Sequence, residues 1–299
     1  MDWKSRQVTA ILEQALVEDQ ATRDTTTRLA LERNIAATGA VLAKQDCILA
    51  GCEAIPRILE VYRRLHPAGG TRCHVIRSAE IFDGVRLRKG QTIAFIEGDA
   101  RTLLACERVI LNLLQRMCAI ATETRRYVDA VRGTGAVILD TRKTVPGLRL
   151  LDKYAVFCGG GQNHRMDLAD GVLIKNNHIE LGGGVQKVLA RSRKRRRAGQ
   201  KIRVEVRTME ELEDALRGGA DSLLLDNMTP KEVAKAVKLA RQRAGKIPIE
   251  ASGGMTLAMV RKYAKAGVDF ISVGALTHSV AAVDLSMRIS PARAARDNA

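Results

Sequence analysis

From Ala136 to about Ser279 the chain repeats one unit. A short apolar run ends in a polar residue and is followed, in most cases, by a helix with marked ends. The runs close at Asp140, Lys175, Glu205, Asp226, Ser252 and Gly274, and GADSLLLD (Gly219–Asp226) and GVDFISVG (Gly267–Gly274) are near-repeats of one helix-to-strand passage. Thr208 with Glu211 and Thr229 with Glu232 have capping-box spacing, and Pro230 takes the favoured first helical position. Gly218-Gly219, Gly245 and Gly267 fall where helices are expected to end. Strands that are apolar along their length and alternate with helices form a parallel sheet covered by those helices. The predicted fold is therefore α/β: a parallel α/β barrel, TIM-like, complete or incomplete. Such barrels carry their active site at the carboxyl ends of the strands, where the polar residues named above stand.

The first 116 residues lack this rhythm and read as an N-terminal α+β sandwich domain. The barrel is assigned to residues 117–279, with the C-terminal tail 280–299 packing back on the first domain. Val8, Ile11, Leu12, Ala15 and Leu16 space an amphipathic helix over residues 5–20, which Arg23-Asp24-Thr25-Thr26-Thr27 breaks. Ala36–Ala43 and Cys47–Ala50 read as strands, and Gly51–Leu65 as a helix whose start Pro56 delays or kinks. Val85–Leu87 and Thr92–Glu97 read as a hairpin. Arg101–Val131 is a long helical pattern with a break expected near Met117–Ala121.

A formal net charge of +16 points to nucleic acid, a membrane surface or small acidic substrates. Much of the excess sits in RSRKRRRAGQK (Arg191–Lys201), read as the solvated end of a helix before a strand; the other reading is an RNA or lipid patch. Aromatic residues make up only 3%, which disfavours base stacking, so no nucleic-acid partner is expected. No apolar stretch approaches the roughly 20 residues of a membrane span. MDWKSRQVTA has no apolar signal core, so the expected location is cytoplasmic. The six cysteines, Cys47, Cys52, Cys73, Cys106, Cys118 and Cys158, form no CxxC pair and no zinc spacing, and read as reduced small hydrophobes.

Within the barrel half, Asp140–His178 gathers cations at loop-like positions: Arg142, Lys143, His164, Arg165 and Lys175. Neighbouring strand residues point to opposite faces. Arg142 and Lys143 can therefore reach one ligand only if the strand has ended, and Val145-Pro146-Gly147 supports a loop there. The local reading is a pocket for an anion with more than one acidic group.

The pieces TRKTVPGLR, GGGQNHR, LIKNNHI, VEV, LLLDNM, EASGG and ISVGALTHS occur in one order across nearly the whole chain, which thereby resembles the quinolinate phosphoribosyltransferases. The resemblance implies a pentosyltransferase of NAD biosynthesis. It would join quinolinate to phosphoribosyl pyrophosphate, giving nicotinate mononucleotide, pyrophosphate and carbon dioxide. It further implies that Arg142, His164, Arg165 and Lys175 hold quinolinate, with Arg108 supplied in trans by a homodimer partner. Planar arginine forks match carboxylates bidentately. Lys143, Lys175, Glu205 and Asp226 are the implied catalytic residues. Lys143, Glu205, Asp226, Ser252-Gly253-Gly254 and Ser272-Val273-Gly274 are implied for phosphoribosyl pyrophosphate, and Glu205 and Asp226 for magnesium, directly or through water.

Several positions depart from the pattern the resemblance implies. Arg23 stands where a glycine is common, Asn176 for an aspartate, Arg207 for a glutamate, and Gln162 for a histidine. The last three make the site less acidic, and a weaker magnesium dependence is expected. Strand period puts Glu205 and Arg207 on one face, so Arg207 is placed either to pair with Glu205 or to extend the anion site. The alternatives are a related barrel phosphoribosyltransferase with another acceptor, such as nicotinate, and a non-catalytic polyanion binder using Arg191–Lys201.

Overall fold

The apolar run in each repeat forms a strand. The computed structural model describes residues 1–67 and 69–292. Its parallel sheet has six strands, Val137–Leu139, Val172–Ile174, Ile202–Val206, Ser222–Asp226, Ile249–Ser252 and Phe270–Ser272. Across the sheet the order is Val137–Leu139, Phe270–Ser272, Ile249–Ser252, Ser222–Asp226, Ile202–Val206, Val172–Ile174. Alternation sorts the side chains: Val204, Val206, Leu223, Leu225, Ile249 and Ala251 are fully buried apolar residues on one face. Arg203, Glu205, Asp226, Glu250 and Ser252 take the alternate positions.

Among the described residues the ladder does not close between Val137–Leu139 and Val172–Ile174. Gln162 makes a single parallel bridge to Leu139 there. Its N–H donates to the Ile138 carbonyl at 2.9 Å, and its carbonyl accepts from Asp140 N–H at 3.2 Å. The barrel is thus incomplete, and the Gly159–Gly161 triplet leads the chain to the edge of its opening.

The predicted caps are present. Thr208 Oγ1 accepts from Glu211 N–H at 3.1 Å before the helix Met209–Arg217. Before Pro230–Ala244 the box is reciprocal: Thr229 N–H donates to Glu232 Oε2 at 2.7 Å and Glu232 N–H to Thr229 Oγ1 at 3.4 Å. Thr229→Ala should cost about 1 kcal/mol. The check is a lowered urea midpoint with unchanged slope, restored by Thr229→Ser.

The other half is an antiparallel sheet in the order Leu285–Pro291, Ala36–Ala43, Thr92–Asp99, His74–Ile76. Three expectations need correction. The proposed hairpin is absent, because Arg86–Leu87 pairs with Cys47–Ile48 while Thr92–Asp99 pairs with Ala36–Ala43 and His74–Ile76. The long helix runs unbroken over Ala100–Ala130. Asp24 does not merely break the first helix: its carboxylate accepts from Thr27 N–H at 3.0 Å and caps a short helix, Thr25–Ala30.

The chain forms two compact units. Of the described residues, one comprises those in Met1–Thr122, Val145–Gly159 and from Val280 to Ala292; the other comprises Glu123–Thr144 and Gly160–Ser279. The boundary placed after residue 116 falls inside the helix Ala100–Ala130. Of the tail, Leu285–Pro291 pairs with Ala36–Ala43, and residues 293–299 lie outside the described residues.

Two arginines of the basic run bond to carbonyls at helix ends, and a third makes an ion pair. Arg191 donates to the Gly182 carbonyl, Arg193 to the Gly218 carbonyl at 3.0 Å, and Arg196 pairs with Asp221. Three basic residues occupy the last turn of the helix Val185–Arg195, where they oppose its negative dipole end. The run is largely the solvated helix end that the sequence suggested.

Candidate active site

The carboxyl ends of the strands surround a cavity of about 630 Å³. Of the predicted site residues, Lys143, His164, Lys175, Glu205, Asp226, Ser252, Gly253, Gly254, Ser272 and Gly274 line it. Arg165 lines an adjoining cavity of about 450 Å³ that shares His164 and Leu173 with the first. Val273 is fully buried, and its N–H donates to the Leu139 carbonyl at 2.9 Å, so that backbone group is engaged within the sheet. Arg108 is exposed on the long helix of the other unit.

On the acidic side, Glu205 and Asp226 end adjacent strands. Lys175 Nζ lies 3.8 Å from Glu205 Oε2, and Asn176 N–H donates to Glu205 Oε1 at 3.3 Å. Arg207 reaches both carboxylates: a terminal nitrogen lies 3.9 Å from Glu205 Oε1, and Nε donates to Asp226 Oδ2 at 3.3 Å. Asn227 Nδ2 also donates to Asp226 Oδ2, at 2.8 Å.

Neither Arg142 nor Arg165 lines the larger cavity; at Arg165, burial, followed by the like charge of Arg142, holds the pKa below the usual arginine range. Asp170 and Asp167 partly offset this, while Arg203 adds to it. A guanidinium whose charge is disfavoured by burial and by a like-charged neighbour suits an anionic ligand.

His164 is held from several sides. Its N–H donates to Asp140 Oδ1 at 2.8 Å, and its Nδ1 accepts from Arg165 N–H at 2.8 Å. Its Nε2 lies 3.4 Å from Glu250 Oε2 and 2.8 Å from a terminal nitrogen of Arg203, which itself pairs with Glu250. Nδ1 thus accepts, while Nε2 faces both the Glu250 carboxylate and the Arg203 guanidinium.

The last two strands end in tight loops. Gly253 has φ +99°, and a Cβ there would stand 2.2 Å from Asn227 Oδ1, so the position admits only glycine. A Cβ on Gly274 would press on His278 Nε2 at 3.0 Å and Lys143 Cδ at 3.2 Å.

Among the lining residues that the sequence reading did not name as site residues are Glu250, Asn227 and His278. Glu250 carried a usable signal, since it lies two residues before Ser252 and therefore on the same strand face. Asn227 has φ +56°, a left-handed conformation that asparagine tolerates better than most residues.

Among the described residues no group of three or more His, Cys, Asp or Glu gathers as a metal site. Magnesium is ordinarily held by one or two carboxylates plus substrate phosphates. Glu205 and Asp226 offer the oxygens, yet both face Arg207 and one also faces Lys175. The pair therefore does not fit a protein-held magnesium in this arrangement.

Residues 24–118 and 120–288 match the families described as quinolinate phosphoribosyl transferase, N-terminal domain and C-terminal domain. The chain is 39% identical to a probable nicotinate-nucleotide pyrophosphorylase [carboxylating] of Methanocaldococcus jannaschii, over 93% of this chain and 96% of the relative. It is 40% identical to the nicotinate-nucleotide pyrophosphorylase [carboxylating] of Mycobacterium leprae, over 88% and 90%. The solved structure of a nicotinate-nucleotide pyrophosphorylase from Ehrlichia chaffeensis aligns with TM-score 0.84 at 36% identity, covering 94% of this chain and 98% of that one.

Proposed function

The chain belongs to the quinolinate phosphoribosyl transferase family, and we propose that it joins quinolinate to phosphoribosyl pyrophosphate, releasing pyrophosphate and carbon dioxide and forming nicotinate mononucleotide. The observation that carries this reading is one cavity in which Lys143, Lys175 and His164 face Glu205 and Asp226. In the proposed reaction the pyridine nitrogen attacks the anomeric carbon of the ribose, and the bond to pyrophosphate breaks with its electron pair on the leaving group. Positive charge develops at the ribose and is steadied by Glu205 and Asp226. Lys143 stands by the departing pyrophosphate. Arg142, Arg165 and Lys175 orient the two ring carboxylates, and His164 holds the Arg165 backbone in place. Once the ring nitrogen is ribosylated, its positive charge stabilises the electron pair that departing carbon dioxide leaves on the ring carbon. A solvent proton then completes the product.

Magnesium would be supplied with the sugar donor and would offset the charge of its phosphates. Arg108 is assigned to the neighbouring subunit's quinolinate site, which makes the working unit a homodimer. The cytoplasm suits the six unpaired cysteines, five of them buried.

The test is an assay of the protein with quinolinate, phosphoribosyl pyrophosphate and magnesium, following nicotinate mononucleotide. Product from nicotinate and none from quinolinate would overturn the acceptor. Mixed Arg108→Ala and Lys175→Ala proteins should recover activity that neither shows alone; no recovery would remove the role in trans.

A further inference from the structure

Two carboxylates at neighbouring strand ends repel each other, and Glu205 and Asp226 are well shielded from water, with side chains only 7% and 14% exposed. Burial of that kind requires a counter-charge. Arg207 occupies the position from which one side chain reaches both. It lies two residues beyond Glu205, on the same strand face. In the parallel register Glu205 pairs with Leu224 and Val206 with Leu225, so Arg207 comes level with Asp226.

Its backbone is fixed independently. Arg207 N–H donates to Glu211 Oε2 at 2.7 Å, while Glu211 N–H is taken by Thr208, so the start of the following helix anchors the residue. The ion pairs it makes are long, 3.3 and 3.9 Å, and its side chain is 45% exposed. Pairs of that kind contribute little to stability. The arrangement neutralises the carboxylates while leaving the arginine able to turn toward a ligand.

We propose that Arg207 is the resident cation of this site: its guanidinium holds Glu205 and Asp226 in register and occupies the place between them that a divalent cation would otherwise take. It is a positioning residue, since it acts through the two carboxylates. The proposal rests on the assignment of those carboxylates to the ribose, and it makes this protein's own acidic pair indifferent to free divalent metal before substrate arrives.

The experiment uses the full chain without quinolinate or sugar donor, so that its outcome and that of the activity assay are independent. Mn2+ is the probe, and the free-ion signal is read by electron paramagnetic resonance. The unaltered protein should leave Mn2+ essentially free. Arg207→Gln should bind it about tenfold more tightly or better, because the positive charge that faces both carboxylates is removed. Arg207→Lys, which keeps the charge, should resemble the unaltered protein. Stoichiometric Mn2+ binding by the unaltered protein would overturn the proposal without recourse to any variant. Equal affinity in Arg207→Gln and the unaltered protein would do so as well.

Discussion

Glu205→Gln should lower kcat by about two to three orders of magnitude while leaving KM for both substrates unchanged or lower. The exchange keeps size and hydrogen-bonding reach and removes only the charge. Glu205 acts from a place screened little by water, its side chain being 7% exposed, so the loss of its field at a positively charged ribose is not made good by solvent. The ground state responds in the opposite sense. Lys175 at 3.8 Å and Arg207 at 3.9 Å lose a common anion and become freer to meet an anionic substrate. A fall in kcat without a rise in KM is the pattern of an interaction made chiefly in the transition state. Asp226→Asn should follow the same pattern with a smaller fall, because its side chain is 14% exposed and already shares Oδ2 with Asn227. Steady-state kinetics on purified proteins checks both. A Glu205→Gln enzyme that turns over like the unaltered one would remove the carboxylate from the mechanism.

How far such a site could be read from residues depends on which distances it needs. The strand ends were legible because an apolar run followed by a polar residue is a local signal. The placement of Lys143, Lys175, Glu205, Asp226 and Ser252 around one mouth follows from that signal and from parallel strands alone. The alternation that puts Glu205 and Arg207 on one face is likewise local. That Arg207 also reaches Asp226 is not, since it depends on the register between two strands, which the intervening helix sets. Glu250, His164 and Arg203 meet for the same reason, across 47 residues of chain for Arg203 and Glu250.

The helix Ala100–Ala130 shows the opposite failure. Met117, Cys118, Ala119, Ile120 and Ala121 are all buried, so the helix loses its polar face there. A segment apolar on every side looks like an interruption of the 3.6-residue pattern. The strand His74–Ile76 escaped because its first and last side chains are exposed and its middle one only half-buried, leaving no apolar face to read.

Glu250→Gln should destabilise the fold by about 3 kcal/mol at neutral pH, near the lower end for breaking a buried pair, because Arg203 retains some access to water. Glu250 is 1% exposed as a side chain and Arg203 26%. Burial pushes the Glu250 carboxyl up, but the hydrogen bond and charge of His164, the charge of Arg203 and a hydrogen bond from Ser272 outweigh it and hold the pKa below the ordinary glutamate value. A carboxyl whose folded pKa is depressed binds its proton more readily in the unfolded chain. Its stabilisation is therefore fully present above the unfolded value, about 4.3, and disappears as pH falls through the lower folded value. The difference in urea midpoint between the unaltered protein and Glu250→Gln should stay constant from pH 7 to about pH 5 and shrink below about pH 4. Activity supplies the second readout: with Glu250 neutral, His164 and Arg203 lose the anion they share, and the imidazole that accepts the Arg165 N–H on Nδ1 is held less firmly. KM for quinolinate should rise more than kcat falls, because the effect reaches the ring carboxylates and not the ribose. A midpoint difference that persisted undiminished at acid pH would show that Glu250 stabilises by packing and not by charge.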